Sequence, residues 1–243
     1  GHNSFTCVPV IQEALTMANI TYKLCLDTQT IAASLLYPVV QYADLTAEDV
    51  SEHVGPKTAR LINSVKRMDS VRQLYHEAKN TTRQLNQIDN LRKMLLAMVD
   101  DIRVVIIKLA ERVCVLRFLQ NLDQETQQEI ASEIQAIYAP LANRLGVAQI
   151  KWELEDLAFR YLESKTYKEI ARNVAMKRSE RENLIQEIID TIRTKLTENH
   201  LTHFDINGRA KHIYSIYKKM QRKKVSFDQI YDAIAVRVLV DDI

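Results

Sequence analysis

Glycine and proline are scarce in this chain, with four of each in 243 residues, against usual shares of about 7% and 5%. Glycine supplies the backbone of tight turns and proline breaks helices. A chain this poor in both is expected to be built from long helices with few sharp corners. Its length suffices to bury a sizeable core, as one large or two small domains. With 47% hydrophobic and 26% charged residues it has the composition of an ordinary globular protein, not a disordered one. A net charge of +2 argues against attraction of the whole molecule to nucleic acid, so any positive charge that matters must act locally. Cys7, Cys25 and Cys114 are odd in number and widely spaced, which points to buried thiols of a reduced protein rather than a disulfide frame or a zinc site. No apolar run approaches the roughly 18 to 20 residues of a membrane span, and no signal peptide is visible.

The hydrophobic period places the helices. A helix is predicted over 28–43, with Asp27 and Thr28 as capping residues ahead of Ile31, Leu35 and Leu36. Pro56 fits the first turn of the next helix, and 87–99 gives another. From Asp101 to Arg117 two apolar faces alternate, which predicts a helix at the centre of a bundle. Further helices are predicted over 124–138, 150–163 and 167–198. After His200 the pattern changes: a short strand over 202–207, a helix over 209–222 and a buried strand over 233–240 read as the opening of an α/β domain. A strand with little after it suggests a fragment of a longer protein.

The densest chemistry lies in Gly208-Arg209-Ala210-Lys211-His212-Ile213-Tyr214-Ser215-Ile216-Tyr217-Lys218-Lys219-Met220. Cations, a hydroxyl and flat rings within about three predicted helical turns can hold phosphates and stack on a base. Asp232 then leads into an apolar run, where a carboxylate can hold a metal ion beside a polyphosphate. The plainer readings are a solvated basic face or an RNA-binding patch. For Asp232 the plainer reading is a residue preceding a strand, and for Arg237 it is pairing with an acid. Glu111, among Leu109, Val113 and Leu116, is expected to pair with a neighbouring Arg. The six histidines show no metal-ligand spacing.

Several of these stretches together resemble the RelA/SpoT family, which makes and degrades the alarmone (p)ppGpp. The resemblance rests on Gly208-Arg209-x-Lys211-His212-x-Tyr214-Ser215-Ile216, Lys219-Met220 and Asp232-x-x-Ala235-x-Arg237. Upstream it includes Lys108 to Arg112, Tyr138 to Gly146 and Trp152 to Asp156. It implies a mainly α chain. An HD-type helical bundle over 1–165 and a connecting helical region over 166–200 would precede the start of an α/β nucleotidyltransferase-like synthetase domain over 201–243.

In bifunctional members of that family the helical half is a hydrolase whose Mn²⁺ is held by a His, a vicinal His-Asp pair and a later Asp, with an acidic pair assisting. The corresponding residues here are Glu13 for the first His, Tyr37 and Pro38 for His-Asp, Gln41 and Tyr42 for the acidic pair, Glu111 for the later Asp, and Val115 for a substrate-side Asn. Tyr and Pro do not normally ligate such a metal, and Pro38 should kink or end its helix. The resemblance therefore implies a pseudo-hydrolase with no Mn²⁺, similar to monofunctional RelA-type synthetases.

For the synthetase it implies transfer of pyrophosphate from ATP to the 3′-hydroxyl of GTP or GDP. Arg209, Lys211, Ser215 and Lys219 would face ATP and Asp232 would ligate Mg²⁺. A second carboxylate would lie beyond Ile243, leaving this stretch inactive alone. A bacterial cytoplasmic enzyme is implied, with the ribosome and uncharged tRNA as partners through C-terminal domains and a (p)ppGpp or protein regulator at the domain junction. The alternatives are a non-catalytic regulatory, nucleotide-binding module and an active HD phosphohydrolase.

Overall fold

A computed structural model describes residues 2–79, 84–97, 100–176, 178–199, 201, 203–210, 212–230 and 234–240. The chain divides into two units, Gly1–Leu162 and Glu163–Ile243.

The first unit is helical. It comprises α1 (Val10–Lys23), α2 (Thr28–Tyr42), α3 (Ala47–His53), α4 (Pro56–Arg67), α5 (Val71–Lys79), α6 (Gln84–Ala97), α7 (Ile102–Phe118), α8 (Gln124–Glu133), α9 (Ala139–Arg144) and α10 (Ala148–Leu162). Among the described residues, polar caps fix four of the ten starts. Asp27 accepts from the backbone N–H groups of Gln29 and Thr30 ahead of α2, Asp101 from Arg103 ahead of α7, and Asp123 from Thr126 ahead of α8. Thr46 and Asp49 form a reciprocal capping box at α3. Gly55, at φ 119°, turns the chain into α4 with Pro56 in its first turn, a corner that an L side chain rarely adopts.

Helix α7 is the axis of this unit. Every residue from Lys108 to Leu116 is buried, and α1, α2, α4 and α10 pack around it. The stretch predicted as one helix over 124–138 begins as α8 and continues as a π-helix, Ile134–Tyr138. That wider turn exposes the Ala136 carbonyl to Arg92 of α6, whose Nε donates to it at 2.8 Å. Pro38 does not end α2, which runs four residues further to Tyr42. One missing rung is tolerated because Tyr37 and Pro38 are themselves buried in the bundle. Cys114 is buried as expected, but Cys7 and Cys25 are exposed, each in a left-handed turn that leaves its side chain outside the packing.

The second unit contains α11 (Ser164–Met176), α12 (Arg178–Glu198), β1 (Phe204–Ala210), α13 (Ile213–Lys223) and β2 (Ile234–Val240). The helix predicted over 167–198 is described as α11 and α12, and residue 177 between them lies outside the described residues. The strands pair antiparallel, with Gly208 opposite Val236 and Asn207 opposite Arg237. The connecting region expected over 166–200 falls in the same unit as the strands, because β1 backs onto α12. Gly208 permits that approach: a methyl placed there would overlap Cγ2 of Ile185 and lie 3.2 Å from Cδ1 of Ile189.

Two expectations change here. Gly208, Arg209 and Ala210 belong to β1, and the helix starts only at Ile213, after His212 takes an extended backbone. Strand β2 is not buried: Arg237, Val238, Leu239 and Val240 are exposed, since β1 is its single neighbour among the described strands.

Gly208→Ala should loosen the second unit. Overpacking of this kind costs about 1–3 kcal/mol. Hydrogen exchange at the β1 amides should quicken by tenfold or more while the α7 amides keep their protection. Unchanged β1 exchange would contradict the close approach.

Candidate functional site

At the centre of the helical unit lies a knot of buried charge. Lys108 and Glu111, each about 1% exposed, sit a turn apart on α7 with Lys108 Nζ 3.1 Å from Glu111 Oε2. The same ammonium reaches Asp69 Oδ1 at 2.5 Å and lies 5.8 Å from the centroid of the Tyr37 ring. Arg112 Nε donates to Glu111 Oε2 at 2.6 Å, and its guanidinium faces the Tyr138 ring at 5.5 Å. Tyr37 donates its hydroxyl to Asp69 Oδ2 at 3.2 Å. Glu133, at the end of α8, stands 3.9 Å from both Arg72 and Arg112.

The carboxylates in this knot have different fates. Burial pushes Glu111 toward its neutral form, but Arg112 and Lys108 together outweigh that and hold its pKa down to about 2. Glu13 has no such pairing. Burial raises its pKa, a hydrogen bond from Ser4 offsets this only in part, and the Glu111 charge adds to the rise. Its Oε2 is buried without a hydrogen-bond partner in the protein. Glu133 is likewise raised by burial, with Arg112 and Arg72 opposing, and neither oxygen accepts a hydrogen bond.

The residues placed by the sequence at the degenerate hydrolase positions divide accordingly. Glu13, Tyr37, Tyr42 and Glu111 are brought into one neighbourhood: burial raises the pKa of both phenols, and the Glu111 charge raises them further. Gln41 contributes a buried Oε1 without a partner. Pro38 and Val115 are buried packing residues. Glu111 makes the ion pair expected of it. Mn²⁺ takes carboxylate and imidazole donors, whereas a buried phenol and a proline ring occupy 37 and 38. Among the described residues no three His, Cys, Asp or Glu side chains converge to hold a metal. The donor set does not fit the ion, and the positive charge is supplied by Lys108 and Arg112.

The second cluster lies on α13, which packs beside α11 and buries Ile216. Ser215 and Lys219, four residues apart, share one face. On another face Lys218 Nζ lies 5.4 Å from the centroid of the Tyr214 ring, and the Tyr214 and Tyr217 rings stand 6.1 Å apart. The register places Arg209 in β1 opposite Ala235. Ser215 and Lys219 therefore come from the helix and Arg209 from the strand before it. Lys211 and Asp232 lie outside the described residues.

Comparison with known proteins agrees with this division. The HD domain family profile matches residues 1–148, and a region found in RelA / SpoT proteins matches residues 208–243. The chain is a member of the RelA/SpoT family. It is 40% identical over 227 residues to a GTP pyrophosphokinase of Photobacterium angustum, covering 93% of this chain and 30% of that protein. It is 41% identical over 233 residues to the GTP pyrophosphokinase of Escherichia coli K12, covering 96% and 31%. A probable guanosine-3′,5′-bis(diphosphate) 3′-pyrophosphohydrolase of Synechocystis is 39% identical over 233 residues, covering 96% and 30%. The chain thus spans about a third of the length of these relatives.

Within this RelA/SpoT chain, Asp69 and Glu133 join the knot without having been singled out from the sequence. A signal exists for Glu133, an acid within the apolar run Ile130, Ala131, Ile134. Asp69 has none, since it sits in a short 3₁₀ turn, Met68–Ser70. No helix among the described residues is long and apolar enough to cross a membrane.

The unequal carboxylates predict opposite responses to neutralisation. Glu111→Gln should destabilise the helical unit by roughly 3–5 kcal/mol at pH 7, because two buried cations lose their counter-charge. The stability lost should be that normally present above pH 4.5 and lost as pH falls toward 2, since the folded pKa is depressed. Glu13→Gln should be neutral or stabilising at pH 7. Its folded pKa is raised, so ionisation opposes folding as pH rises above 4.5. Urea unfolding across pH tests both; equal losses for the two variants would contradict the assignment.

Proposed function

We propose that this chain serves a (p)ppGpp synthetase that transfers pyrophosphate from ATP to the 3′-hydroxyl of GTP or GDP in the bacterial cytoplasm. Its helical unit would be a pseudo-hydrolase with a structural and regulatory role. The observation that carries the first part is the match of residues 208–243 to the RelA/SpoT region, which falls on the elements holding Arg209, Ser215, Lys219 and Arg237. The names of the two GTP pyrophosphokinase relatives support the same reading. For the second part the support is the donor set at Tyr37 and Pro38, with Lys108 and Arg112 in place of a metal's charge.

The proposed reaction is a matter of charge and alignment. The 3′-hydroxyl oxygen attacks the β-phosphorus of ATP and gives up its proton to a general base or to water, the bond from that phosphorus to the α–β bridging oxygen breaks, and AMP leaves. Negative charge gathers on the phosphoryl oxygens as this happens, so fixed cations aimed at them lower the barrier. Lys219 with Lys211 would hold the triphosphate, Ser215 would donate its hydroxyl to a phosphate oxygen, and Arg209 would lie against adenine and phosphates. Mg²⁺, taken by Asp232, would neutralise polyphosphate charge. The guanosine subsite and a second carboxylate would come from outside these residues, as would the parts that bind the ribosome and uncharged tRNA. A regulator, (p)ppGpp or a protein, would act at the domain junction.

The Synechocystis relative carries a hydrolase name, which keeps hydrolysis as the competing reading. In a protein carrying this chain together with the remainder found in its relatives, pppGpp formation from ATP and GTP should be readily measured. Lys219→Ala should lower kcat by roughly 10²-fold, the usual loss for one electrostatic donor. A full rate in that variant, or breakdown of ppGpp in place of its synthesis, would overturn the proposal.

A further inference from the structure

On the helical unit a third feature stands apart from both clusters. Helix α4 carries Lys57, Arg60, Ser64 and Arg67 at spacings of three, four and three, which sets them along one helical face. The three cations are exposed and make no ion pair among the described residues. Arg67 donates to Ser64 Oγ at 2.8 Å, which holds its guanidinium along this face.

Two adjoining hollows border the face. One, of about 240 Å³, has an apolar wall of Met68, Val71, Leu95 and Val104. The other, of about 280 Å³, is lined by Lys57, Arg60 and Arg103. Ser64 and Asp101 line both, so the two hollows adjoin at these residues. Joined, they fall within the roughly 300–1,000 Å³ of small-molecule sites, which pair an apolar body with a few placed polar groups.

The charge in this place is not self-cancelling. Asp101 is satisfied by Arg103, with Oδ2 2.6 Å from Nη2, and Asp27 stands 3.4 Å from the same guanidinium. That leaves Lys57, Arg60 and Arg67 against Asp100, the remaining acid on the rim of the first hollow. A solvated basic face would explain the cations alone. It does not explain an apolar recess directly beside them.

We infer that the joined hollows form a ligand site for a small anionic aromatic molecule of the nucleotide class. Its ring would enter the apolar recess between Met68 and Val104, and its phosphate would rest against Lys57 and Arg60. The Ser64 hydroxyl, where the hollows adjoin, is placed to meet the sugar or the ring edge. This site is separate from α13 and does not depend on the pyrophosphate-transfer reading.

The methionine methyl groups give a local readout. The chain has six methionines; Met68 and Met94 line the recess and Met220 lies on α13. With ¹³C-methyl methionine in the full chain, titration with AMP or GMP should move the Met68 and Met94 resonances. A nucleotide held at α13 would move Met220 instead. The double reversal Lys57→Glu with Arg60→Glu, at exposed positions that leave the core intact, should weaken the Met68 and Met94 response at least tenfold. Ser64→Trp, which puts bulk where the hollows adjoin, should do the same. Inorganic phosphate, lacking a ring, should bind at least tenfold more weakly than the nucleotides. The inference is overturned if Met68 and Met94 do not move at millimolar nucleotide. It is overturned equally if the charge reversal leaves the affinity unchanged, or if phosphate binds as well as AMP and GMP.

Discussion

The ion-pair chain from Asp69 through Lys108 and Glu111 to Arg112 is the constraint on which the helical unit depends. Burying a single unpaired charge costs several kcal/mol, whereas a paired and hydrogen-bonded set is tolerated. Lys108 and Glu111 can be buried only because each satisfies the other and because Asp69 and Arg112 close the ends. Helix α7 is then free to be apolar on its remaining faces and to serve as the axis around which α1, α2, α4 and α10 pack. Here an ammonium and a guanidinium tethered to α7 place positive charge against Glu111, which supports the pseudo-hydrolase reading proposed above.

The knot is not evenly balanced. Glu111 is held ionised by its cations, while Glu13 and Glu133 are raised by burial, and Oε2 of Glu13 and both carboxylate oxygens of Glu133 lack hydrogen-bond partners in the protein. For the latter two, burial disfavours the ionised form and the nearby cations oppose it only in part. The π-helix after α8 belongs to the same arrangement: it follows Glu133 and ends at Tyr138, and Arg92 donates to its Ala136 carbonyl.

Much of this was legible in the sequence because it depends on local rules. Asp27 ahead of an apolar period announced the start of α2, Pro56 announced that of α4, and the two-faced apolar pattern after Asp101 announced a central helix. Glu111 among leucines and valines announced an ion pair. What stayed hidden depends on contacts between segments distant in sequence. Asp69 lies in a short turn with no pattern of its own. The π-turn at 134–138 is indistinguishable in period from the α-helix it extends. Gly208 opens the stretch that matches the RelA / SpoT region, but its place in β1 is set by the approach of Ile185, 23 residues upstream. The exposure of β2 follows from how many strands flank it, and a single strand's composition does not encode that number.

We propose that Lys108 and Arg112 take the place of a metal's charge in the helical unit. Electron paramagnetic resonance of free Mn²⁺, titrated into the purified chain, tests this most directly. The account predicts that the free-ion signal is undiminished by the protein at millimolar Mn²⁺ and is the same with Glu111→Ala. A stoichiometric loss of that signal which Glu111→Ala abolishes would contradict it.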